Sequence, residues 1–376
     1  MTLFPHTTKK SPAATGLGGA ALPLGATALL CLLLLLRAPQ VAVKQVEQGL
    51  LLCSKAVIPA LFPFMVFSEV IVATGVGERL LQPLQRLLHR LFKLPEAGCS
   101  AVVLGLLCGF PVGAISALRA KEKGSLTAHE TEGVMLLSGN ASAAFLLNVV
   151  GLKLWGNRLF GLSLYAILLL SQWIVGRSFL LADKTDPKEQ EPVLPLTAEP
   201  RSAGMILTDA VRSACASMLL VCACVVFFSS LMGALGLVLE RFGASASVTA
   251  LLFCMLELTG GMNAAASLSS PLSAALLCAL CAGWSGLSVH CQAISLCGNA
   301  GIRFRRYFAA KLLQGLLCAL LFGVLVTLVP SLLIPTRQAA SLTEETSPYS
   351  IATVSFLLCT ALSAFGSLIQ SVIPGK

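Results

Sequence analysis

Ala101–Lys123 reads AVVLGLLCGFPVGAISALRAKEK. The stretch is apolar, yet Gly109-Phe110-Pro111-Val112-Gly113 interrupts its middle. Proline lacks a backbone N–H and crowds the preceding turn, and glycine loosens the backbone, so a helix is expected to break here. In lipid, broken backbone is tolerated only where protein buries it or where it lines a cavity. Breaks at matching places in two halves of a chain are a sequence pointer to a transporter binding site. A second break of this kind is Leu258-Thr259-Gly260-Gly261-Met262-Asn263.

Composition sets the frame. The chain has 376 residues, 56% of them hydrophobic and 11% charged, against about 25% charged in a soluble domain. Several apolar runs reach the roughly 20 residues that a bilayer requires. These numbers imply a polytopic membrane protein in contact with a lipid bilayer. The net charge of +9 is not a nucleic-acid signal, because the Lys and Arg fall between apolar runs in the positive-inside pattern. Most of the 14 Cys, such as Cys215, Cys222 and Cys224, lie within apolar runs. There they act as small hydrophobes, and no disulfide framework is read from them. Lys9 and Lys10 before an apolar run resemble a signal peptide. No clear cleavage site follows Leu32–Leu36, so a retained first helix is expected.

Working outward, residues 20–36 form one apolar segment. Residues 48–75 form another, whose Pro59 and Pro63 should kink or unwind it. Basic loops with Arg79, Arg86, Arg90 and Lys93, and with Arg119, Lys121 and Lys123, bracket the opening stretch. If both loops lie on one side, the Gly-Phe-Pro break is the tip of a re-entrant hairpin. A single proline-kinked span is the alternative. Residues 133–152 are apolar, with Ser138-Gly139-Asn140-Ala141-Ser142 near their start, and 159–181 follow. The Pro-rich linker 182–208 has no helical periodicity.

The order then recurs. Residues 209–239 answer 48–75, and 246–268 with the Thr-Gly-Gly break answer 97–118. Residues 273–298 carry Ser285-Gly286-Leu287-Ser288-Val289-His290-Cys291-Gln292, and 306–334 answer 159–181. Arg303, Arg305, Arg306 and Lys311 read as another cytoplasmic turn. The expected fold is all-α, with about eight spanning helices and two re-entrant hairpins in two inverted repeats. The units are a tail and first helix (1–45), a first repeat (46–181), the linker (182–208), a second repeat (209–335) and a C-terminal loop with a last helix (336–376). Arg37 and Lys44 fall on the outside in this topology and oppose the charge bias.

Several residues invite chemistry. Glu257 lies in an apolar run just before the second break, and intramembrane acids are functional candidates. It is read either as a site for a coupling ion or proton, or as a hydrogen-bond partner of the broken backbone. Asn140 and Ser142 suit a polar or anionic substrate held at broken-helix N-termini, or simple interhelical hydrogen bonding. Gly283-Trp284-Ser285-Gly286 resembles the G-x-S-G of intramembrane serine proteases. The histidines His6, His89, His129 and His290 supply no base at the required geometry, so no enzyme is expected. Cys281, His290, Cys291 and Cys297 match no zinc spacing, and no Walker A sequence is present. No metal and no cofactor are expected.

Ile58-Pro59-Ala60-Leu61-Phe62-Pro63-Phe64, Gly109-Phe110-Pro111-Val112-Gly113-Ala114, Leu256-Glu257-Leu258-Thr259 and Gly286-Leu287-Ser288-Val289-His290 resemble the YlbJ-type sporulation integral membrane proteins. These belong to the nucleoside-recognition (Gate) domain group, related to concentrative nucleoside transporters. The resemblance spans about residues 45–330. It implies a transporter in the outer forespore membrane of a spore-forming bacterium, moving a small anionic, aromatic solute, dipicolinic acid foremost. It also implies substrate contact at the tips Gly109, Phe110, Pro111 and Gly113, and Thr259, Gly260, Gly261 and Asn263. The implied polar partners are Asn140, Ser142, Ser285, Ser288, His290 and Gln292, with Phe62, Phe110 or Phe145 against the ring. A nucleoside or nucleobase substrate and a non-transporting scaffold in spore assembly remain the alternatives, and a homo-oligomer stays open.

Overall fold

The computed structural model describes residues 21–76, 82–181, 202–297 and 301–334. Every regular element among them is helical. The expected last helix, 349–373, and Arg79 lie outside the described residues.

Helix α1 (Ala21–Arg37) meets α2 (Pro39–Leu52) at a sharp bend, and a π-helical turn at Cys53–Val57 leads into α3 (Ile58–Thr74). The wide turn ends just before Pro59, which lacks the N–H a regular turn would use. Pro63 does not unwind α3, which runs on to Gly75. Helix α4 (Gln82–Phe92) buries Leu88, Leu91 and Phe92 and holds Arg86 and Arg90, so these basic residues lie on a helix rather than in a loop.

Next comes a helical hairpin, α5 (Glu96–Cys108) and α6 (Phe110–Glu122). It reverses at Gly109, whose φ of 92° and ψ of −179° suit glycine alone. The Cα of Gly105 lies 3.0 Å from where a Cβ on Gly113 would sit. Eight residues along one helix would separate them by about 12 Å. The limbs have 13 residues each, about 20 Å, too short for a bilayer core of about 30 Å. A second hairpin follows the same rule. Helices α10 (Ala246–Leu256) and α11 (Leu258–Ala266) fold back at Glu257, and a Cβ on Gly261 would meet the Cys254 Cα at 2.5 Å.

Each hairpin is followed by a broken helix. Helix α7 (Ala128–Ser138) stops before Gly139, and a π-helical segment, Phe145–Leu154, continues the path. Sequence reasoning put the start of this element at 133 and the polar cluster near it. Thr127 and Glu130 form a capping box that starts the helix at Ala128, so the cluster falls mid-element. In the second half, α12 (Pro271–Trp284) and α13 (Gly286–Cys297) are separated by Ser285 alone, at φ 73°.

Helices α8 (Arg158–Leu181), α9 (Ala203–Arg241) and α14 (Phe304–Leu328) complete the body. By length and composition, four elements among the described residues can cross a membrane: Arg158–Leu180, Ala203–Arg241, Pro271–Cys297 and Phe304–Leu328. The bent α1–α2 pair makes a fifth, and four shorter apolar helices accompany them. The protein is a multi-pass integral membrane protein.

Three packed clusters hold the hairpins. Phe110, Ala114, Val134 and Met135 pack with Ala293, Cys297 and Tyr307. Cys254 and Met262 pack with Leu146, Phe160, Cys278 and Phe322. Leu104 and Val112 pack with Val57, Met65, Met218 and Val221. Small residues let helices approach in lipid, as where Gly283 faces the Gly315 backbone.

Two basic residues read as loop or turn residues, Arg119 and Lys311, are in fact packed, and so is His129. Arg119 on α6 pairs with Glu69 of α3 and donates to Ser213 Oγ of α9 at 3.3 Å. His129 is buried on α7 and stacks on Phe179. Lys311 is fully buried on α14. A few charged side chains with dedicated partners survive inside a helical body, and charge counting alone cannot tell them from loop charges.

Candidate functional site

At the first break, the tip and the broken helix are bonded to each other. The N–H of Phe110 donates to the Asn140 carbonyl at 3.1 Å. Ser142 Oγ accepts from the Phe145 N–H at 3.2 Å and caps the segment that follows. A Cβ on either Gly105 or Gly113 would run into Ser138, at 2.2 and 2.4 Å. Both limbs thus need glycine where they pass the end of α7.

Asn140 is held from behind. Its Oδ1 accepts from Lys311 Nζ at 2.9 Å and from Gln314 Nε2 at 2.8 Å, and Lys311 also donates to the Gly139 carbonyl at 2.8 Å. Neither Lys311 nor Gln314 was singled out for this site from the sequence. The i, i+3 spacing of two polar residues in an otherwise apolar helix was the available signal.

The second break is built differently. Glu257 is extended, at φ −145° and ψ 135°, and its carboxylate accepts from the Gly260 N–H at 2.5 Å, capping α11. Trp284 Nε1 donates to the Met255 carbonyl at 3.0 Å and satisfies the end of α10. A Cβ on Gly286 would sit 3.0 Å from the Glu257 Cα, so this tip also rests in its own broken helix.

One cleft joins the two breaks. Gly109, Phe110, Asn140, Ser142 and Phe145 line it from the first half, and Glu257, Thr259, Ser285 and Gln292 from the second. Open solvent at its mouth included, it spans about 680 Å³ of non-atom space. Its wall is mostly apolar. Val57, Leu61, Val221 and Val225, from the π turn, α3 and α9, also line it, and these the sequence reading missed. Val221 and Val225 are four residues apart on one helix face, a spacing indistinguishable from ordinary core.

The expected site residues divide accordingly. Gly109, Phe110, Asn140, Ser142, Thr259, Ser285, Gln292 and Glu257 meet at the cleft. Pro111 opens α6 in its first turn, where its missing N–H is harmless. Gly113, Gly260 and Gly261 pack against Ser138, Met232 and Cys254. Asn263 is exposed on α11. Ser288 accepts from Gln292 Nε2 at 3.4 Å. The His290 ring lies among Trp284, Tyr307 and Phe308, with centroids 4.2, 5.6 and 5.0 Å away. Ser285 Oγ donates to the Ala282 carbonyl at 3.4 Å. Of the three aromatic candidates, Phe110 and Phe145 line the cleft, and Phe62 packs with Met65 and Val221.

Over 312 residues the chain is 27% identical to the sporulation integral membrane protein YlbJ of Bacillus subtilis (strain 168), covering 75% of this chain and 76% of that protein. This similarity supports YlbJ-type family membership. No family profile and no solved structure matches the chain. The chain that carries this similarity presents two helical hairpins, each seated in a broken helix, around a shared cleft.

Proposed function

We propose that the protein is a membrane carrier for a small, planar, anionic solute, with dipicolinate the leading candidate, and not an enzyme. The observation that carries this reading is the single cleft lined by both tips and both broken helices. Such discontinuous backbone at membrane depth is the usual material of a transporter site. Short, folded-back limbs favour re-entrant hairpins, and the recurring order of hairpin, broken helix and long helix favours two inverted repeats. About eight spans complete this topology. The relative's sporulation role favours the outer forespore membrane as the place of action.

Dipicolinate offers a flat ring with two carboxylates. Phe110 and Phe145 supply faces for the ring, and the polar groups at the breaks supply donors. The test is uptake of labelled dipicolinate into proteoliposomes. Native protein should accumulate label, and an Asn140→Ala, Ser142→Ala double variant of normal size-exclusion profile should not. Uptake unchanged in the double variant, or absent from native protein under every ion gradient, overturns the proposal. Suppression by excess nucleoside rather than by unlabelled dipicolinate would transfer the site to nucleosides.

A further inference from the structure

Helix α14 carries a lysine where lipid and protein least tolerate one. Lys311 is 0% exposed. Its Nζ donates to the Gly139 carbonyl at 2.8 Å, to Asn140 Oδ1 at 2.9 Å and to Gln314 Oε1 at 3.0 Å. Three acceptors match the three N–H groups of an ammonium. All three acceptors are neutral. Elsewhere in the body charged groups do meet opposite charges, as where Arg119 pairs with Glu69 and Arg303 with Glu132. Buried charges are ordinarily paired with an opposite charge, and among the described residues Lys311 has its hydrogen bonds but no carboxylate partner.

Asn140 connects that charge to the cleft. Ammonium can only donate, so the amide oxygen must face Lys311 and the Nδ2 end must turn away. Gln314 Nε2 fixes the same orientation. The Nδ2 group is buried and has no hydrogen-bond partner, and Asn140 lines the cleft. Leaving a buried amide donor unpaired is costly, which points to a ligand acceptor at this place. Across the cleft stands the Glu257 carboxylate, occupied by the Gly260 N–H. The two breaks therefore differ in kind, with a lysine amino group behind the first and a glutamate side chain already engaged by backbone at the second.

We propose that Lys311 is a positioning residue for anion selectivity. It holds Asn140 with its amide N–H groups free for a substrate carboxylate, and that carboxylate supplies the counter-charge the lysine lacks. This deepens the carrier reading and rests on it. Lys311 stays behind Asn140 and does not touch the solute.

The test compares two probes in the same proteoliposomes, dipicolinate and the neutral diamide of the same ring, and reads the ratio of their KM values. Native protein should favour the dianion. Lys311→Met should shrink that preference by about tenfold or more, the order of one nearby charge in a partly shielded site. Gln314→Glu provides a second arm, because it sets a carboxylate beside the ammonium and keeps the lysine. It should shrink the preference likewise. A merely structural role for Lys311 would lower uptake of both probes alike, so an unchanged ratio in Gln314→Glu overturns the assignment whether or not Lys311→Met folds. Uptake of neither probe by native protein overturns the carrier reading itself, a result distinct from uptake with an unchanged ratio.

Discussion

Replacing Gly113 with alanine should loosen the first tip from its broken helix. A Cβ there would lie 2.4 Å from both Cβ and Oγ of Ser138 and 3.0 Å from the Gly105 Cα. Carbon atoms in contact sit about 3.5–4.0 Å apart, so limb α6 must retreat by roughly 1 to 1.5 Å. The tip rides on that limb. Its Phe110 N–H reaches the Asn140 carbonyl across 3.1 Å, and a retreat of that size along this line takes the pair past about 4 Å, beyond a hydrogen bond. Overpacking costs about 1–3 kcal/mol and the lost bond about 1 kcal/mol more. Thermal unfolding in detergent should fall by roughly 5 °C or more, and uptake should fall with it. Adding Ser138→Gly removes the two closest atoms and leaves only the 3.0 Å approach to Gly105, so it should recover most of the loss. A Gly113→Ala protein that melts and transports like the native one would refute the argument, as would a Ser138→Gly background that restores nothing.

Two further outcomes separate capping and stapling from solute handling. Glu257→Ala removes the acceptor for the Gly260 N–H and should cost about 0.5–2 kcal/mol, whereas Glu257→Gln keeps an acceptor and should melt near the native protein. Equal losses in a thermal scan would sink the capping role, and a stable Glu257→Gln protein whose uptake no longer responds to proton or cation gradients would reveal coupling. Asn157 holds the Leu332 and Ile334 carbonyls at 3.1 and 2.9 Å and accepts from the Leu159 N–H at 2.9 Å. Asn157→Ala should lose about 2–3 kcal/mol of stability with KM unchanged, and a raised KM with native stability would contradict this.

The breaks were legible because glycine and proline inside apolar runs have few uses in lipid. Gly109 falls where that logic puts it, whereas the second reversal comes at Glu257, just before the Leu258–Asn263 stretch read as the break, because the Glu257 carboxyl caps the Gly260 N–H and lets that stretch start α11 as regular helix; both tips reach one cleft. Element starts were harder to read. The start of α7 at Ala128 was missed because His129, Glu130 and Glu132 look like loop composition, although Thr127 and Glu130 carry the cap. Long-range partners were not legible at all. Nothing local distinguishes Lys311, bonded to Asn140, from Arg305 near the start of the same helix, since the difference lies in what another part of the chain places beside it. His290 shows the converse. A histidine in a polar cluster suggests a ligand, and the fold instead surrounds it with three aromatic rings.

The tie between α14 and the first break also bears on how the protein is made. Asn140 waits for Lys311, 171 residues later in the chain, before its amide is held. Asn157 waits likewise for Leu332, and Glu132 for the Arg303 backbone N–H. A ribosome delivers the early half first, with the carbonyls at Gly139 and Asn140 still lacking their lysine. Insertion into the bilayer must therefore precede completion of the cleft. Helix α14 closes it, so the element that gives the first break its lysine is made long after the break itself.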